Sequence, residues 1–474
     1  MPISTLATIV LIGGFFLLMF LKIPVTFSLL LSTCAAALIE GTNLTTLVRM
    51  MIDGVNNISL LSIPFFILMG EIMSVGEISD KIVGLANLVV GRFRGGLAYV
   101  NCLDSMFFGG VSGSAVADVS SLGAIVIPLQ VKQGYSKEFA VALTVTTACE
   151  GVLIPPSHNM VIYALAAGAG VSIGSMFMAG ILPGLLLGGA LMFMCFCMRF
   201  KYNFPKGDKI GAGERVRWMH FSKNPDKNWG AHKNPETWCV LETPAFRLEM
   251  GKCMQIILDA ILPMLTLVII MGGVALGIFT ATESSAIACV YTFILTYFIY
   301  RKDKIRNFPK VLKNSLKTLA VVMTLLATAK AFAYMMTALR IPAMLTNALL
   351  SITDNKYILL IIINLILLLL GCFMDMAPLI LIMTPILLPV VTNPAIGMSP
   401  IHFGIMLILN LATGLCTPPV GSALFVGCAV GGTTIEKTTK SLLPMFLVMF
   451  ATLMAVTFIP AFSLAIPRAL GMSI

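Results

Sequence analysis

Two apolar stretches of this 474-residue chain are interrupted by glycine, proline and hydroxyl residues at matching positions. In the first, Gly134-Tyr135-Ser136 precedes an apolar run that ends at Pro155-Pro156, and in the second, Gly397-Met398-Ser399 precedes a run that ends at Pro418-Pro419. The step from the glycine to the first proline is 21 residues in both copies. A helix broken in this way exposes unpaired carbonyls at one half and unpaired N–H groups at the other. Carbonyl oxygens suit a hard cation such as sodium, and helix N-termini attract anions.

Upstream of each broken stretch lies an apolar segment with small polar residues at its middle. The first segment, about 101–128, contains Ser112-Gly113-Ser114, and the second, about 370–391, has Asp375 and Met376 near its tip. Neither reads as one uninterrupted membrane-crossing helix. We expect each to form a re-entrant hairpin of two half-length helices, because non-helical backbone at membrane depth is tolerated only inside protein or beside a wet cavity.

We expect each hairpin tip to face one broken span, so that two half-sites form. The candidate sodium ligands are Ser112, Gly113, Ser114, Gly151, Pro155, Asp375, Met376, Thr413, Gly414 and Thr417. The candidate substrate-binding residues are Ser157, His158, Asn159, Pro418 and Gly421. A single small residue in an apolar helix more often permits close packing. The prediction therefore rests on the two sets and not on any one residue.

Acidic residues within apolar spans are costly and mark functional candidates. The chain has five, namely Asp104, Asp118, Glu150, Glu283 and Asp375. Glu150 adjoins the first break and Asp375 the second tip, which favours these two for ion or proton binding. The alternative is a structural role, through pairing with Lys330 or with a helix N-terminus.

The composition is that of a polytopic membrane protein in a lipid bilayer. Hydrophobic residues make up 58% and charged residues 11%, against about 25% charged in soluble domains. The net charge of +10 indicates membrane orientation and no nucleic-acid partner, because the basic residues sort to one side. The sequence shows no transition-metal ligand spacing, nucleophile–base pair or phosphate-binding loop, and we therefore predict that the protein is not an enzyme.

With the N-terminus outside, 26 of the 31 basic residues fall on the inner side, which sets orientation. This topology makes the two halves an inverted repeat with two re-entrant hairpins and two broken helices. We predict a first repeat at 1–198, with its broken helix at about 138–166. A basic cytoplasmic loop or insertion follows at 199–252, and a second repeat at 253–474 contains the broken helix at about 402–430 and a final helix. Both termini are predicted to lie in the periplasm.

Several motifs resemble the large membrane subunit (DctM or SiaM type) of tripartite ATP-independent periplasmic (TRAP) transporters. They are Ser62-Ile63-Pro64-Phe65-Phe66, Gly91-Arg92-Phe93-Arg94-Gly95-Gly96, Phe108-Gly109-Gly110-Val111-Ser112-Gly113-Ser114, Ile154-Pro155-Pro156-Ser157, Phe177-Met178-Ala179-Gly180 and Thr417-Pro418-Pro419-Val420-Gly421. Their order covers nearly the whole chain except 210–252.

This resemblance implies an elevator-type, sodium-coupled permease of the bacterial inner membrane, with Na⁺ as the coupling ion. It implies two partners, a small four-helix membrane subunit and a periplasmic solute-binding protein that delivers a carboxylate-bearing solute. It also implies one sodium site at the Ser112-Gly113-Ser114 tip with the Pro155-Pro156 turn. The other would lie at Asp375, Thr413, Gly414 and the Thr417-Pro418-Pro419 turn, with substrate between the tips.

Two other readings compete with this one. A stand-alone sodium or proton symporter for dicarboxylates or similar anions would share the architecture and need no binding protein. A membrane-embedded enzyme or channel is disfavoured, because a protease would need facing Ser/His or paired Asp residues and a channel would not need two opposed half-sites.

The 210–252 segment lacks apolar periodicity, so transport should not depend on it. Deleting residues 210–252 should leave sodium-driven solute uptake unchanged when membrane levels of the protein are equal. Lost uptake at a normal membrane level would show that the segment takes part in transport.

Overall fold

The computed structural model describes residues 3–472 except 77, 92, 169, 202–203, 205–245, 302, 354 and 419–420, and the regular structure of these residues is helical. The helices of the first half are α1 (Ile3–Phe20), α2 (Val25–Glu40), α3 (Leu44–Val55), α4 (Ser62–Val75), α5 (Ile78–Val90), α6 (Gly96–Ser112), α7 (Ala115–Lys132), α8 (Lys137–Gly151), α9 (His158–Ala167) and α10 (Ile173–Lys201). A short 3₁₀ helix, Ile58–Leu61, leads into α4.

The second half has the same number of α-helices. They are α11 (Phe246–Ala275), α12 (Ala281–Ile294), α13 (Phe308–Ala338), α14 (Ile341–Ile352), α15 (Lys356–Gly371), α16 (Met376–Val391), α17 (Pro400–Leu415), α18 (Ser422–Gly431), α19 (Ile435–Phe458) and α20 (Ala461–Ala469). A π-helical turn, Leu295–Tyr300, extends α12, and a 3₁₀ turn, Ile305–Asn307, precedes α13. Within the described residues, 8 helical segments are long and apolar enough to cross a membrane. The predicted all-α polytopic fold is confirmed.

The first hairpin is formed by α6 and α7, which turn at Gly113 and Ser114. Gly113 has φ +61°, a left-handed conformation that favours glycine, and its N–H donates to the Gly109 carbonyl at 2.8 Å. The Ser114 side chain then accepts from the Ala117 N–H and begins α7. The arms extend beyond the predicted 101–128, to Gly96 and Lys132.

The second hairpin is formed by α15 and α16, with its tip between Cys372 and Asp375. The predicted start at 370 is too late, because the whole of α15 is the first arm. The apolar run 356–371 reads as a span of its own, but its 16 residues reach only about 24 Å, short of a bilayer core of about 30 Å. The predicted end at 391 matches the last residue of α16.

The two broken spans are α8–α9 and α17–α18. The first helix of each pair stops before its prolines, at Gly151 and Leu415. A proline lacks the N–H that would continue the helix, and its ring disfavours helical backbone at the preceding residue. The chain therefore crosses a short irregular turn before α9 begins, and α18 begins at Ser422.

The hairpins enter the bundle from opposite ends. At the base of the first, Arg94 Nε donates to the carbonyl of Phe204, just beyond the end of α10, at 3.1 Å. At the base of the second, the Pro400 carbonyl accepts from the Tyr163 hydroxyl, near the end of α9, at 2.5 Å. Because α10 begins shortly after α9 ends and runs back across the bundle, these contacts lie at opposite ends, as an inverted repeat requires.

Packing divides the helices into two groups. Helices α1–α4 and α11–α13 pack mainly on one another, and we name them the scaffold. Helices α6–α10 and α15–α20 form the second group, the hairpin unit. Helices α5 and α14 each precede a hairpin and contact both groups.

The predicted 199–252 loop falls largely outside the described residues, at 202–203 and 205–245. Its flanks are helical, since α10 continues to Lys201 and α11 begins at Phe246. The cytoplasmic placement and insertion character of this segment remain predictions.

Each hairpin is packed against its broken span through a pair of glycines. A methyl group built on Gly109 of α6 would lie 2.0 Å from Cα of Gly151 in α8. In the other half, a methyl group on Gly371 of α15 would lie 3.1 Å from Cα of Gly414 in α17. The contact at Gly109 leaves no room for a side chain, and the contact at Gly371 leaves little.

Gly109→Ala should therefore lower the free energy of unfolding by about 2 kcal/mol or more, the scale of overpacking in a close-packed core. Gly371→Ala should cost less, because its added methyl has about 1 Å more room and alanine favours helix. Thermal unfolding of the purified protein measures both. Gly189→Ala in α10 is the matched control, since nothing lies within 4 Å of its added methyl; equal loss in all three variants would contradict this packing.

Candidate functional site

The first hairpin tip contacts the first broken span, as the sequence predicts. The Asn159 side chain donates from Nδ2 to the Gly113 carbonyl at 3.3 Å. A methyl group on Gly113 would lie 3.1 Å from both the backbone N and the Nδ1 atom of His158, and 3.3 Å from the Pro156 carbonyl. The tip thus lies directly on the turn that contains Pro155 and the first residues of α9. Ser112 is the last residue of α6.

Two buried oxygens beside this tip have no hydrogen-bond partner within the described residues. They are Oγ of Ser157 and Oδ1 of Asn159, and their residues are 0% and 3% exposed. A buried polar oxygen without a partner is costly. Such oxygens are the groups that a bound cation would satisfy, and the chemistry fits the oxygen ligands of hard cations.

The second tip contacts the second broken span through the backbone. The N–H of Gly421 donates to the Cys372 carbonyl at 3.1 Å. A methyl group on Gly421 would lie 2.7 Å from the Leu415 carbonyl oxygen and 2.9 Å from that of Thr417. Carbonyl oxygens therefore gather at this turn as well.

The remaining candidates of the second half lie at the ends of α16 and α17. Asp375 is the residue before α16 and is exposed, and Met376 begins that helix and is buried. The Thr413 hydroxyl donates to Leu409 and the Thr417 hydroxyl to Thr413, both to backbone carbonyls at 2.8 Å. Gly414 packs on Gly371, and Pro418 follows Thr417 in the turn. Pro419 lies outside the described residues.

An asparagine at the same position of each repeat joins the hairpin to the broken span, and sequence reasoning missed both. In the first half, Asn101 donates to the Thr144 hydroxyl at 2.8 Å and accepts from that of Thr147 at 3.1 Å. In the second, Asn410 donates to the carbonyl and side-chain oxygens of Asn364 at 2.9 and 2.8 Å. The available signal was spacing, because Asn364 follows Asn101 by 263 residues, as Asn410 follows Thr147.

The acidic candidates have different surroundings. Glu150 is fully buried, without a hydrogen-bond partner among the described residues, and its carboxylate lies against Gly188 of α10. Asp118 is also buried, in the first turn of α7. Within the described chain Lys330 forms no ion pair with either carboxylate and lines a separate cavity. Glu283 caps α12, accepting from the Thr280 N–H at 2.8 Å and the Thr280 hydroxyl at 2.9 Å.

The arrangement offers opposite polarity within each half-site. Helices α6, α8, α15 and α17 end at the tips and breaks with carbonyls exposed, and α7, α9, α16 and α18 begin there with N–H groups exposed. The first set attracts cations and the second attracts anions. Helix ends that favour a cation and helix ends that favour an anion thus lie within a few residues of each other in both repeats.

A family model described as "Tripartite ATP-independent periplasmic transporter, DctM component" matches residues 12–462. The chain is 37% identical over 462 residues to the uncharacterized protein YgiK of Salmonella typhimurium, which covers 97% of both chains. It is 32% identical over 481 residues to the C4-dicarboxylate TRAP transporter large permease protein DctM of Rhodobacter capsulatus, covering 98% of this chain and 100% of the relative. It is 34% identical to the isethionate TRAP transporter permease protein DctMQ of Oleidesulfovibrio alaskensis, covering 95% of this chain and 65% of that protein.

The fold is similar to a solved structure, the YdaH transporter of Alcanivorax borkumensis, whose crystal structure is described as revealing an unusual topology. The TM-score is 0.57 at 13% sequence identity, and the match covers 91% of this chain and 89% of the other. This likeness concerns the fold alone.

The contact between the two halves predicts a specific cross-link. The Sγ atoms of Cys149 in α8 and Cys416 after α17 lie 2.9 Å apart, about 1 Å more than a disulfide bond. Iodine should oxidise the pair. After cleavage at a protease site inserted within 205–245, the two fragments should then migrate together on a non-reducing gel. Cys149→Ser is the control; fragments that separate in the parent protein, or stay joined in the control, would contradict this geometry.

Proposed function

The chain belongs to the DctM family and is the large permease subunit of a TRAP transporter, and from this we propose that it couples sodium influx to uptake of an organic acid. The protein is a multi-span transport permease and not an enzyme. The observation that carries the proposal is the contact between each tip and its broken span, Gly113 with Asn159 and Cys372 with Gly421.

Sodium coupling is supported by the oxygens at these contacts. Ser157 Oγ and Asn159 Oδ1 are buried without partners in the described part of the chain, beside the carbonyls that end α6 and α8. In the second half, the carbonyls of Leu415 and Thr417 lie against Gly421, near the carboxylate that precedes α16. Neutral oxygens together with one carboxylate are suitable ligands for a hard monovalent cation. Sodium is here a transported ion, carried with the solute.

An acidic solute is supported by the helix N-termini beside the two tips. Helices α9 and α18 begin at His158 and Ser422, where their first N–H groups have no intrahelical acceptor and suit an anionic group. Two relatives are named as transporters of C4-dicarboxylates and of isethionate, which are both organic acids. Ser157, His158, Asn159, Pro418 and Gly421 are the residues we propose to contact the solute.

An elevator mechanism is supported by the way each hairpin is fastened. The pairs Gly109–Gly151 and Gly371–Gly414, with the two asparagine contacts, fix each hairpin to its broken span. Across the halves, α7 packs on α18 and α16 on α9. The hairpin unit would therefore move as one body against the scaffold, carrying solute and sodium together, with α5 and α14 as its connections.

The family description is of a three-part system, which supports two partners for this chain. We propose a small four-helix membrane subunit and a periplasmic binding protein that delivers the solute, in the bacterial inner membrane with both termini in the periplasm. The DctMQ relative, of which this chain covers 65%, carries additional sequence beyond the part matched here.

Uptake into proteoliposomes tests the proposal. The vesicles hold this chain with its small subunit, and succinate, N-acetylneuraminate or isethionate is added outside with its loaded binding protein, with or without an inward sodium gradient. Uptake that requires both the gradient and the binding protein is the expected result. Sodium-driven uptake without a binding protein would instead establish a stand-alone symporter. Uptake that does not depend on the sodium gradient would contradict the proposed sodium sites.

In the same assay, Ser114→Ala and Asp375→Asn should each raise the sodium concentration for half-maximal uptake by about tenfold, the scale of one lost charge-assisted contact. The matched controls are Ser120→Ala, an exposed hydroxyl on α7, and Glu436→Gln, an exposed carboxylate in the first turn of α19. Unchanged sodium dependence in both tip variants would remove the tips from the ion sites.

A further inference from the structure

A cavity lined in part by polar side chains lies between the scaffold and the hairpin unit, away from the tips. Its volume is about 680 Å³, within the usual range for small-molecule sites. The scaffold lines it with Lys330, Asn57, Ser59 and the start of α12, and the hairpin unit with the end of α9 and the start of α10. No described residue of either hairpin tip lines it. We name this cavity the vestibule.

The vestibule lies at the end of the bundle that the distribution of basic residues predicts to be outside. Helices α10 and α12 begin there, and α9 and α11 end there. The base of the second hairpin is at the same end, since Tyr163 of α9 bonds to Pro400. A solute arriving from the periplasm would meet the vestibule before it reached the tips.

Lys330 is the only charged residue among the described residues that line the vestibule. It lies in α13, about 12 Å before the end of that helix at the usual rise. Its side chain is exposed and makes no ion pair within the described chain. A methyl group on Gly54 of α3 would lie 2.7 Å from Lys330 Cβ, so the base of the side chain is held between helices. A lysine at this depth is costly unless an anion or water solvates it.

Helix N-termini add to the positive character of the vestibule. The Ser172 hydroxyl accepts from the Ser175 N–H at 2.9 Å, which leaves the first N–H groups of α10, on Ile173 and Gly174, without intrahelical acceptors. Both residues line the vestibule. The N-terminus of α12 lies on the opposite wall, where the carboxylate of Glu283 already caps it.

Carbonyl groups near the ends of α11 and α9 accept hydrogen bonds from the turns that follow these helices. The Gly273 carbonyl of α11 accepts from the N–H groups of Ile278 and Phe279 at 3.0 and 3.1 Å. The Ala164 carbonyl of α9 accepts from the Gly168 N–H at 3.2 Å. One carbonyl at each of these helix ends is therefore paired, and Lys330 and the α10 N-terminus are the positive groups in the vestibule wall.

We propose that the vestibule binds the acidic group of the solute before it reaches the tips, with Lys330 and the first N–H groups of α10 as the oxyanion contacts. The proposal rests on the proposed function for the nature of the solute. A lipid phosphate offers the same oxyanion chemistry. The hydroxyl groups of Ser59, Ser172 and Thr282 in its walls favour the solute, and the test separates the two sources.

Protection from labelling tests the vestibule without transport. Thr282→Cys places a thiol in its wall, and a polar maleimide reacts with it in nanodiscs; labelling of the parent protein is subtracted. Succinate should slow the reaction, and succinamide, which has the same skeleton without charge, should not. Lys330→Ala should raise the succinate concentration for half-protection by about tenfold, and Lys330→Arg should restore most of it. Lys356→Ala removes an exposed lysine elsewhere and should change nothing.

Nanodiscs of phosphatidylcholine alone and with phosphatidylglycerol distinguish the oxyanion sources. Equal protection by succinate in both supports a solute site. Slow labelling confined to phosphatidylglycerol discs, with no further effect of succinate, assigns the vestibule to lipid and overturns the proposal. Equal protection by succinate and succinamide, or protection unaffected by Lys330→Ala, also overturns it. Because the assay measures binding, failed sodium-driven uptake would count against the proposed function and leave this result standing.

Discussion

Backbone groups at helix ends inside the bundle are the constraint on which the rest of this structure depends. Within the described chain, four helices end and four begin at the tips and breaks, and a buried polar group without a partner costs several kcal/mol in a membrane. Asn159 and Gly421 satisfy one tip carbonyl each. The remaining unpaired groups are the ones that we propose to bind sodium and the acidic group of the solute. The backbone groups at these helix ends therefore explain both how the tips pack on the broken spans and which ligands the site would suit.

The same constraint explains why the hairpins cannot be loosely attached. A tip that moved away from its broken span would expose carbonyls to an apolar environment. The glycine pairs bring the backbones together, and Asn101 and Asn364 add polar contacts that are specific in direction. The elevator motion that we propose would therefore occur at the boundary with the scaffold, where the vestibule has one wall on each side.

Much of this arrangement follows from sequence because glycine, serine and proline act locally. Gly113 and Ser114 form a turn, and α8 and α17 end just before the diprolines that begin at Pro155 and Pro418, whereas a single proline such as Pro128 lies within a helix. The start of the second hairpin was not predictable in the same way, because Lys356–Gly371 is as apolar as a complete membrane span. Only the short length of this helix and its pairing with α16 show that it is the first arm of the hairpin. The contacts of Asn101, Asn364 and Lys330 depend on helices far apart in sequence. Periodicity within one segment carries no information about them.

Within the hairpin unit, Cys149 contacts the residue at the equivalent position of the other repeat, Ala412. Its Sγ lies 3.1 Å from the carbonyl of Ala412, which follows it by 263 residues, the offset that relates Asn101 to Asn364. A residue beside a pseudo-twofold axis must fit against the side chain at the matching position, so two bulky or two like-charged residues are excluded there. Cysteine and alanine are both small and neutral. A substitution at either position would therefore act directly on a contact between the two halves of the permease, in addition to the packing of α7 on α18 and of α16 on α9.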